Sequence, residues 1–266
     1  MPRKLSLSPT KISTFLACPV KYWYTYCDPR GKLYLRSKSY YSFGSTLHRV
    51  LEQFHDEGNI GVTTTESALA AYEEAWIDAG YESADEMADF FGEGKEIIVR
   101  YVEEELRKPK VGRTLFTEKS IQADFGSFRL IGRVDRIDEV SPTHWVIVDY
   151  KSGRQTVTED SVRQELAMGI YQLILKKAEP DKTVDLRIIA LRSGNSATTS
   201  LSQSELEQLE QDVIRIAEQL ATIGPEDYVP TYKPLCEGCD FRRLCNQNPA
   251  YRDTIPAETL VSESDT

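Results

Sequence analysis

The sequence predicts a mixed α/β fold, with a central sheet flanked by helices and a helical region ahead of it. Three observations predict it. Helical periodicity dominates roughly the first hundred residues, and strict apolar–polar alternation then sets in at residues 128–135. A continuous apolar run at 145–150 has the look of a buried central strand. After it, helix, strand and helix patterns follow one another, so the order is helices, hairpin, helix, strand, helix.

Taken in order, Ser8-Pro9 reads as an N-cap followed by proline at the first helical position, opening a helix with Ile12, Phe15 and Leu16 on one side until Pro19. Tyr22, Trp23, Tyr24 and Tyr26 follow, a stacking surface for bases or, more commonly, packed core aromatics. Leu47, Val50, Leu51 and Phe54 recur at helical spacing over 42–57, ending at Gly58. Two further helices fill 66–108, with Pro109 as the stop. The hairpin strands at 128–135 and 145–150 turn at Ser141-Pro142-Thr143. A helix over 160–177, a strand over 184–191 and a helix over 203–223 stopped by Gly224-Pro225 complete the order.

The chain has 266 residues, enough for a sizeable core, and no apolar run reaches the ~20 residues a membrane helix needs. The N-terminus has no apolar stretch after its charges, which points to a cytoplasmic address. The net charge is −10, yet residues 1–50 carry nine Lys or Arg against Asp28 alone, while residues 51–105 carry sixteen acids against Lys95 and Arg100. A basic arm on an acidic body suits a phosphate backbone, although two oppositely charged faces packed together would look the same. No Gly-x-x-x-x-Gly-Lys-Ser/Thr run occurs, so nothing marks an ATP-driven motor.

Asp149 and Lys151 stand two apart on a strand, so both side chains leave the same face, about 7 Å apart along it. Charges at the end of an apolar strand are costly unless paired or used. The bland reading is a salt bridge at the sheet rim. The preceding hairpin strand, however, delivers Asp135 close to the same spot. Paired carboxylates suit a hard divalent ion such as Mg²⁺ or Mn²⁺, and with an adjacent lysine they suit phosphodiester hydrolysis.

These motifs resemble those of the PD-(D/E)xK nucleases, and within them the RecB-type nuclease domains, including the AddB and CRISPR adaptation nucleases. Gly44-Ser-Thr-Leu-His48, Gly132-Arg-Val-Asp135 and Asp149-Tyr-Lys151 match that family's histidine, aspartate and Asp-x-Lys motifs in order, spanning nearly the whole chain. The resemblance implies a restriction-endonuclease-like core, metal ligation by His48, Asp135, Asp149 and the Tyr150 carbonyl, and Lys151 as the catalytic lysine beside Asp135 and Asp149. It also implies DNA contacts from Tyr171 and Gln164. The family places its glutamine four residues before the tyrosine, whereas Gln164 stands seven before Tyr171 and Ala167 holds the usual place. His55 and His144 match nothing in the family and are read as structural.

Cys236, Cys239 and Cys245 form a C-x2-C-x5-C run, and close spacing without a secretory signal favours a metal over disulfides. The run alone suits zinc or an iron–sulfur cluster. The resemblance implies a [4Fe-4S] cluster with Cys18 as its leading cysteine, Cys27 being the rival. Such a staple would tie the chain's two ends and contribute stability rather than chemistry.

The expected organisation is therefore a helical region with a basic arm (1–110), a nuclease core (111–224), an iron–sulfur appendage paired with Cys18 (225–250) and a disordered tail (251–266). The expected function is a Mg²⁺- or Mn²⁺-dependent deoxyribonuclease, an exonuclease or end- and flap-processing enzyme in DNA repair or recombination. Its partner would be DNA, single-stranded or with free ends, and a separate helicase fits as a second partner. CRISPR adaptation is an alternative setting for the same chemistry. A non-catalytic DNA-binding module and a zinc-stabilised interaction domain are the alternatives to catalysis.

Overall fold

The computed structural model describes residues 4–56, 58, 61–109 and 111–256. The chain divides into two compact units, one containing the residues up to Pro9 and Ser37–Ile214, the other containing Thr10–Arg36 and the residues from Arg215 onward.

The first unit is built on a six-stranded mixed sheet. Its strands are β1 (Leu5–Leu7), β2 (Arg113–Asp124), β3 (Phe128–Ser141), β4 (His144–Lys151), β5 (Thr183–Ala190) and β6 (Ser196–Thr199). The β3–β4 hairpin is antiparallel, β4 runs parallel to β5, and β6 returns antiparallel to β5. β2 pairs with β3 from Arg129 to Glu139. β1 takes residues 128–130 and β4 residues 136–141, so both lie on the side of β3 that β2 leaves free. Residues 131–135 of β3 therefore have no strand beside them on that side, and Asp135 sits at the end of this gap.

Three helices, α3 (Ser39–His55), α4 (Thr65–Ala75) and α5 (Ala84–Arg107), form one side of the core. α5 shows why the chain is helical there: Ser83 caps it by accepting the Glu86 amide at 3.0 Å, acids fill its first turn, and it ends ahead of Pro109. Phe43, Leu47, Val50 and Leu51 of α3 pack with Ile97, Ile98, Tyr101 and Val102 of α5 against Val146, Val148 and Tyr150 of β4. Each such aliphatic side chain contributes about 1.5–3 kcal/mol by leaving water. Ile147 has the opposite parity and belongs to a second cluster with Met168, Tyr171 and Leu175. The apolar run of β4 is thus buried on both faces, and Asp149 and Lys151 share the parity of Ile147.

The helix expected over 160–177 is two helices, α6 (Glu159–Gln164) and α7 (Leu166–Ala178), because Glu165 breaks the path with an extended ψ of 109°. β1, β2 and β6 were not foreseen. The helix expected over 203–223 is α8 (Gln203–Thr222).

In the second unit, α1 (Pro9–Ala17) and α2 (Pro19–Tyr26) flank Cys18, which serves as the N-cap of α2. Ile12 and Phe15 are buried as expected, but Leu16 is 59% exposed, so the buried face is narrower than the sequence suggested. The early aromatics are packed: Trp23 stacks on Tyr228, Tyr24 lies 5.5 Å from Phe241, and Tyr22 is buried against Phe15. Short helices α9 (Arg242–Cys245) and α10 (Pro249–Arg252) follow. Tyr251, placed in the tail by the sequence, is fully buried; the rest of that expectation, from 257 onward, lies outside the described residues. Among the described residues no helix is long and apolar enough to cross a membrane.

Candidate metal centre

The β3–β4 ladder stops at Arg136–Val148, one position short of the aspartates. Past that point side chains replace backbone pairing between these two strands, while β4 stays paired with β5 through Lys151. Asp135 Oδ2 accepts the Tyr150 amide at 2.7 Å, and the Tyr150 carbonyl lies 3.0 Å from His48 Nε2. His48 comes from α3, which approaches closely because Gly44 has no side chain: a Cβ there would stand 2.9 Å from Ser152 Oγ, just after Lys151. Gly132 has a comparable reason, since its Cβ would lie 2.6 Å from the ring of Tyr171. Both motif glycines make room for a neighbour that shapes the site.

The structure adds Glu118. It lies on β2 between Thr117, paired with Arg136, and Lys119, paired with Val134, and therefore opposite Asp135. Its φ of 46° falls in the left-handed region, which a residue with a side chain adopts at a cost. Like charges facing each other across strands are also destabilising. His48 Nδ1 stands 3.4 Å from Asp135 Oδ1 and 3.7 Å from Glu118 Oε1, and Arg133 Nε is 2.5 Å from Glu118 Oε2. Ligand atoms of His48, Glu118 and Asp135 all lie within 4.8 Å of one another.

Electrostatics record the crowding. Burial works against the His48 imidazolium, but hydrogen bonds to Asp135 and Glu118 and the charges of Asp135 and Asp149 outweigh it, raising the imidazole to about 10. Burial, then the Asp135 charge, push Asp149 up to about 6 despite Lys151 and His48. Lys151 is raised: burial opposes its charge, and Asp149 and Glu165 outweigh burial. Lys151 Nζ stands 3.0 Å from Asp149 Oδ2, an ion pair in the wall of the site. A buried carboxylate next to carboxylate and imidazole ligand atoms fits a hard divalent cation.

Asp135, Asp149, Lys151, His48 and the Tyr150 carbonyl are thus brought together. Tyr171 joins them from α7, its hydroxyl raised by burial and by the charges of Asp149 and Asp135. Gln164 is exposed and is not on the same helix as Tyr171, because the helix expected over 160–177 breaks after α6. Sequence reasoning also missed Glu165, at the break between α6 and α7, whose charge acts on Lys151 and Tyr171. His55 is half-buried with its Nε2 2.6 Å from Arg136 Nη1, and His144 pairs with Asp185 at 2.9 Å.

In the other unit Cys18, Cys236 and Cys245 share a buried cluster with Val20 and Tyr251. Burial, then the neighbouring cysteines including Cys18 and Cys239, push the Cys245 thiol up to about 12. Cys18 Sγ accepts the Lys21 amide and Cys236 Sγ the Lys233 amide, both at 3.4 Å. Cys27 is exposed, with its thiol raised by burial of its surroundings and lowered by Lys11, and no other cysteine acts on it.

The family model described as the PD-(D/E)XK nuclease superfamily matches residues 6–246. A search of curated protein sequences returns no match. Among solved structures, a protein from Eubacterium rectale named as a candidate exonuclease is 13% identical, with 80% of this chain and 93% of that chain covered at a TM-score of 0.35. The protein SSO0001 is 14% identical, with 76% and 83% covered at a TM-score of 0.29.

Proposed function

Because the chain belongs to the PD-(D/E)XK nuclease superfamily, we propose that it is a divalent-metal-dependent deoxyribonuclease that hydrolyses phosphodiester bonds at Asp135, Asp149 and Lys151, as an exonuclease or end-processing enzyme in DNA repair or recombination. The observation that carries this reading is the convergence of His48, Glu118 and Asp135 ligand atoms within 4.8 Å of one another, with the buried Asp149 carboxylate beside them. Mg²⁺ or Mn²⁺ would be held by Asp135, Asp149, Glu118, His48 and the Tyr150 carbonyl. A bound ion supplies Lewis-acid polarisation of the scissile phosphate and acidifies water.

The chain's own groups do the rest. Lys151, kept protonated by Asp149 and Glu165, orients the attacking water or neutralises charge developing on the phosphate oxygens. The Tyr171 hydroxyl, held on the same side of the sheet as Asp149, contacts the DNA backbone. Gln164 serves the same contact only from the separate helix α6.

The cysteine unit carries the second half of the reading, a [4Fe-4S] cluster on Cys18, Cys236, Cys239 and Cys245. What supports it is the shared cluster of Cys18, Cys236 and Cys245 and the action of Cys239, Cys18 and Cys236 on the Cys245 thiol; zinc is the alternative group. DNA is the substrate, and a separate helicase supplying single strands is the natural companion of a chain with no P-loop of its own.

The test is digestion of end-labelled single- and double-stranded DNA with Mg²⁺ or Mn²⁺. Wild type is expected to degrade at least one form and to stop in EDTA, and Lys151→Ala is expected to lose at least about 100-fold in rate. Equal cutting by Lys151→Ala, or no cutting of either form, rejects the catalytic assignment.

A further inference from the structure

Resting on that metal-dependent reading, we infer that a buried polar cluster of Arg136, His55 and Tyr101, on the far face of the sheet from the carboxylates, positions the metal centre through Tyr150. Arg136 is 4% exposed and immediately follows Asp135. Its Nη1 donates to the Tyr150 hydroxyl at 2.8 Å and to the Tyr101 hydroxyl at 3.1 Å, and lies 2.6 Å from His55 Nε2. Its Nη2 pairs with Asp138 at 3.0 Å, and the two tyrosine hydroxyls are 3.1 Å apart. Burial, then the Arg136 charge, hold the His55 imidazole well below its ordinary range, so a neutral ring accepts from the guanidinium.

Asp138 alone would balance the charge of a buried arginine. The extra acceptors all come from elements that build the site. His55 lies seven residues after His48 on α3, two turns along the same helix. Tyr101 brings in α5, and Tyr150 is the residue whose amide goes to Asp135 and whose carbonyl faces His48. Tyr150 is therefore held at three points, by Asp135 at its nitrogen, His48 at its carbonyl and Arg136 with Tyr101 at its hydroxyl.

This matters because the β3–β4 ladder has already ended at Arg136–Val148. Beyond it no β3–β4 pairing sets the spacing of Asp135 and Asp149, while β4 stays paired on its other edge, Asp149 with Ile188, Tyr150 with Ile189 and Lys151 with Ala190. The hydroxyl tie fixes the side chain, and through its Cα the two peptide groups that flank it, one carrying the amide held by Asp135 and the other the carbonyl that faces His48. Second-layer partners of this kind orient the ligands that touch a metal. Arg136, His55 and Tyr101 are positioning residues, since none of them reaches the centre itself.

A core tyrosine offers the control. Tyr72 lies in the same apolar cluster, and its hydroxyl donates to the Phe91 carbonyl at 3.2 Å, with no link to Tyr150. Mn²⁺ binding to full-length protein, read by the electron paramagnetic resonance of free Mn²⁺, is compared with the melting temperature of each variant. Tyr150→Phe is expected to bind Mn²⁺ about tenfold more weakly, Tyr101→Phe less severely so, and Tyr72→Phe as wild type even where all three melt earlier. Should Tyr150→Phe not fold, Tyr101→Phe against Tyr72→Phe decides. Wild-type affinity in both cluster variants, or equal weakening in Tyr72→Phe, overturns the inference while leaving the metal reading intact. A wild type that binds no Mn²⁺ overturns both.

Discussion

In the sheet-bearing unit, Glu118, Asp135 and Asp149 crowd together and positive groups answer them: a His48 raised to about 10, a raised Lys151, and Arg133 at 2.5 Å from Glu118. In the other unit the buried thiols of Cys239 and Cys245 are both pushed up, first by burial, and Cys245 by its cysteine neighbours next. Both places gather donors that a cation would unite. They differ in what they do without one. At neutral pH Asp149, raised to about 6, keeps its charge beside Lys151 and His48, whereas the raised Cys239 and Cys245 thiols keep their protons. A site with its own counter-charges can exchange its ion during work. On the proposed reading, a site whose thiols lack such counter-charges would hold its metal group as part of the structure.

The largest effect should come from the thiols. Cys236→Ser is expected to remove an absorption band near 400 nm from anaerobically purified protein and to lower the melting temperature by about 10 °C or more, as loss of a structural metal does. Colourless wild-type protein with stoichiometric zinc would break the iron–sulfur half of the comparison. Next comes Glu118→Gln, which removes one donor while keeping its shape. A loss of about tenfold or more in Mn²⁺ affinity by calorimetry is expected, with the fold intact by circular dichroism. Unchanged affinity would exclude Glu118 from the centre. Gly132→Ala should be milder, costing about 1–3 kcal/mol in a urea melt because the new methyl meets the Tyr171 ring. A neutral result would show that Tyr171 can move aside freely.

The residues that announce themselves in the sequence are those on strongly patterned elements. Asp149 and Lys151 end an unmistakable apolar strand, Asp135 lies midway along an alternating one, and His48 lies on a long amphipathic helix. Glu118 escaped because β2 is mostly exposed or half-exposed along its length, so its strand carries little of the alternation that burial writes into sequence. The one available signal was a carboxylate among Thr114, Leu115, Phe116 and Ile121, ahead of the hairpin. β1 is three residues long, too short for any period. The break at Glu165 involves neither proline nor glycine, so residues 160–177 looked like one helix and Gln164 like a neighbour of Tyr171. The Arg136 cluster was hidden because its members come from three elements and meet only in the folded core.

As the proposed seat of a cation, Asp149 is kept at a cost to stability. Its carboxyl titrates at about 6 in the fold, above the ~3.9 of an unfolded chain. The carboxylate therefore destabilises the metal-free protein at neutral pH, by roughly 1–3 kcal/mol. The cost is absent below about pH 4, grows as the pH rises, and is complete above about pH 6. The direct measurement is the melting temperature of Asp149→Asn and wild type at pH 7.5, in EDTA and in Mn²⁺. In EDTA the variant should melt a few degrees higher, and Mn²⁺ should raise wild type well beyond what it does for the variant. A variant that melts below wild type in EDTA, or that gains as much from Mn²⁺, would contradict the claim.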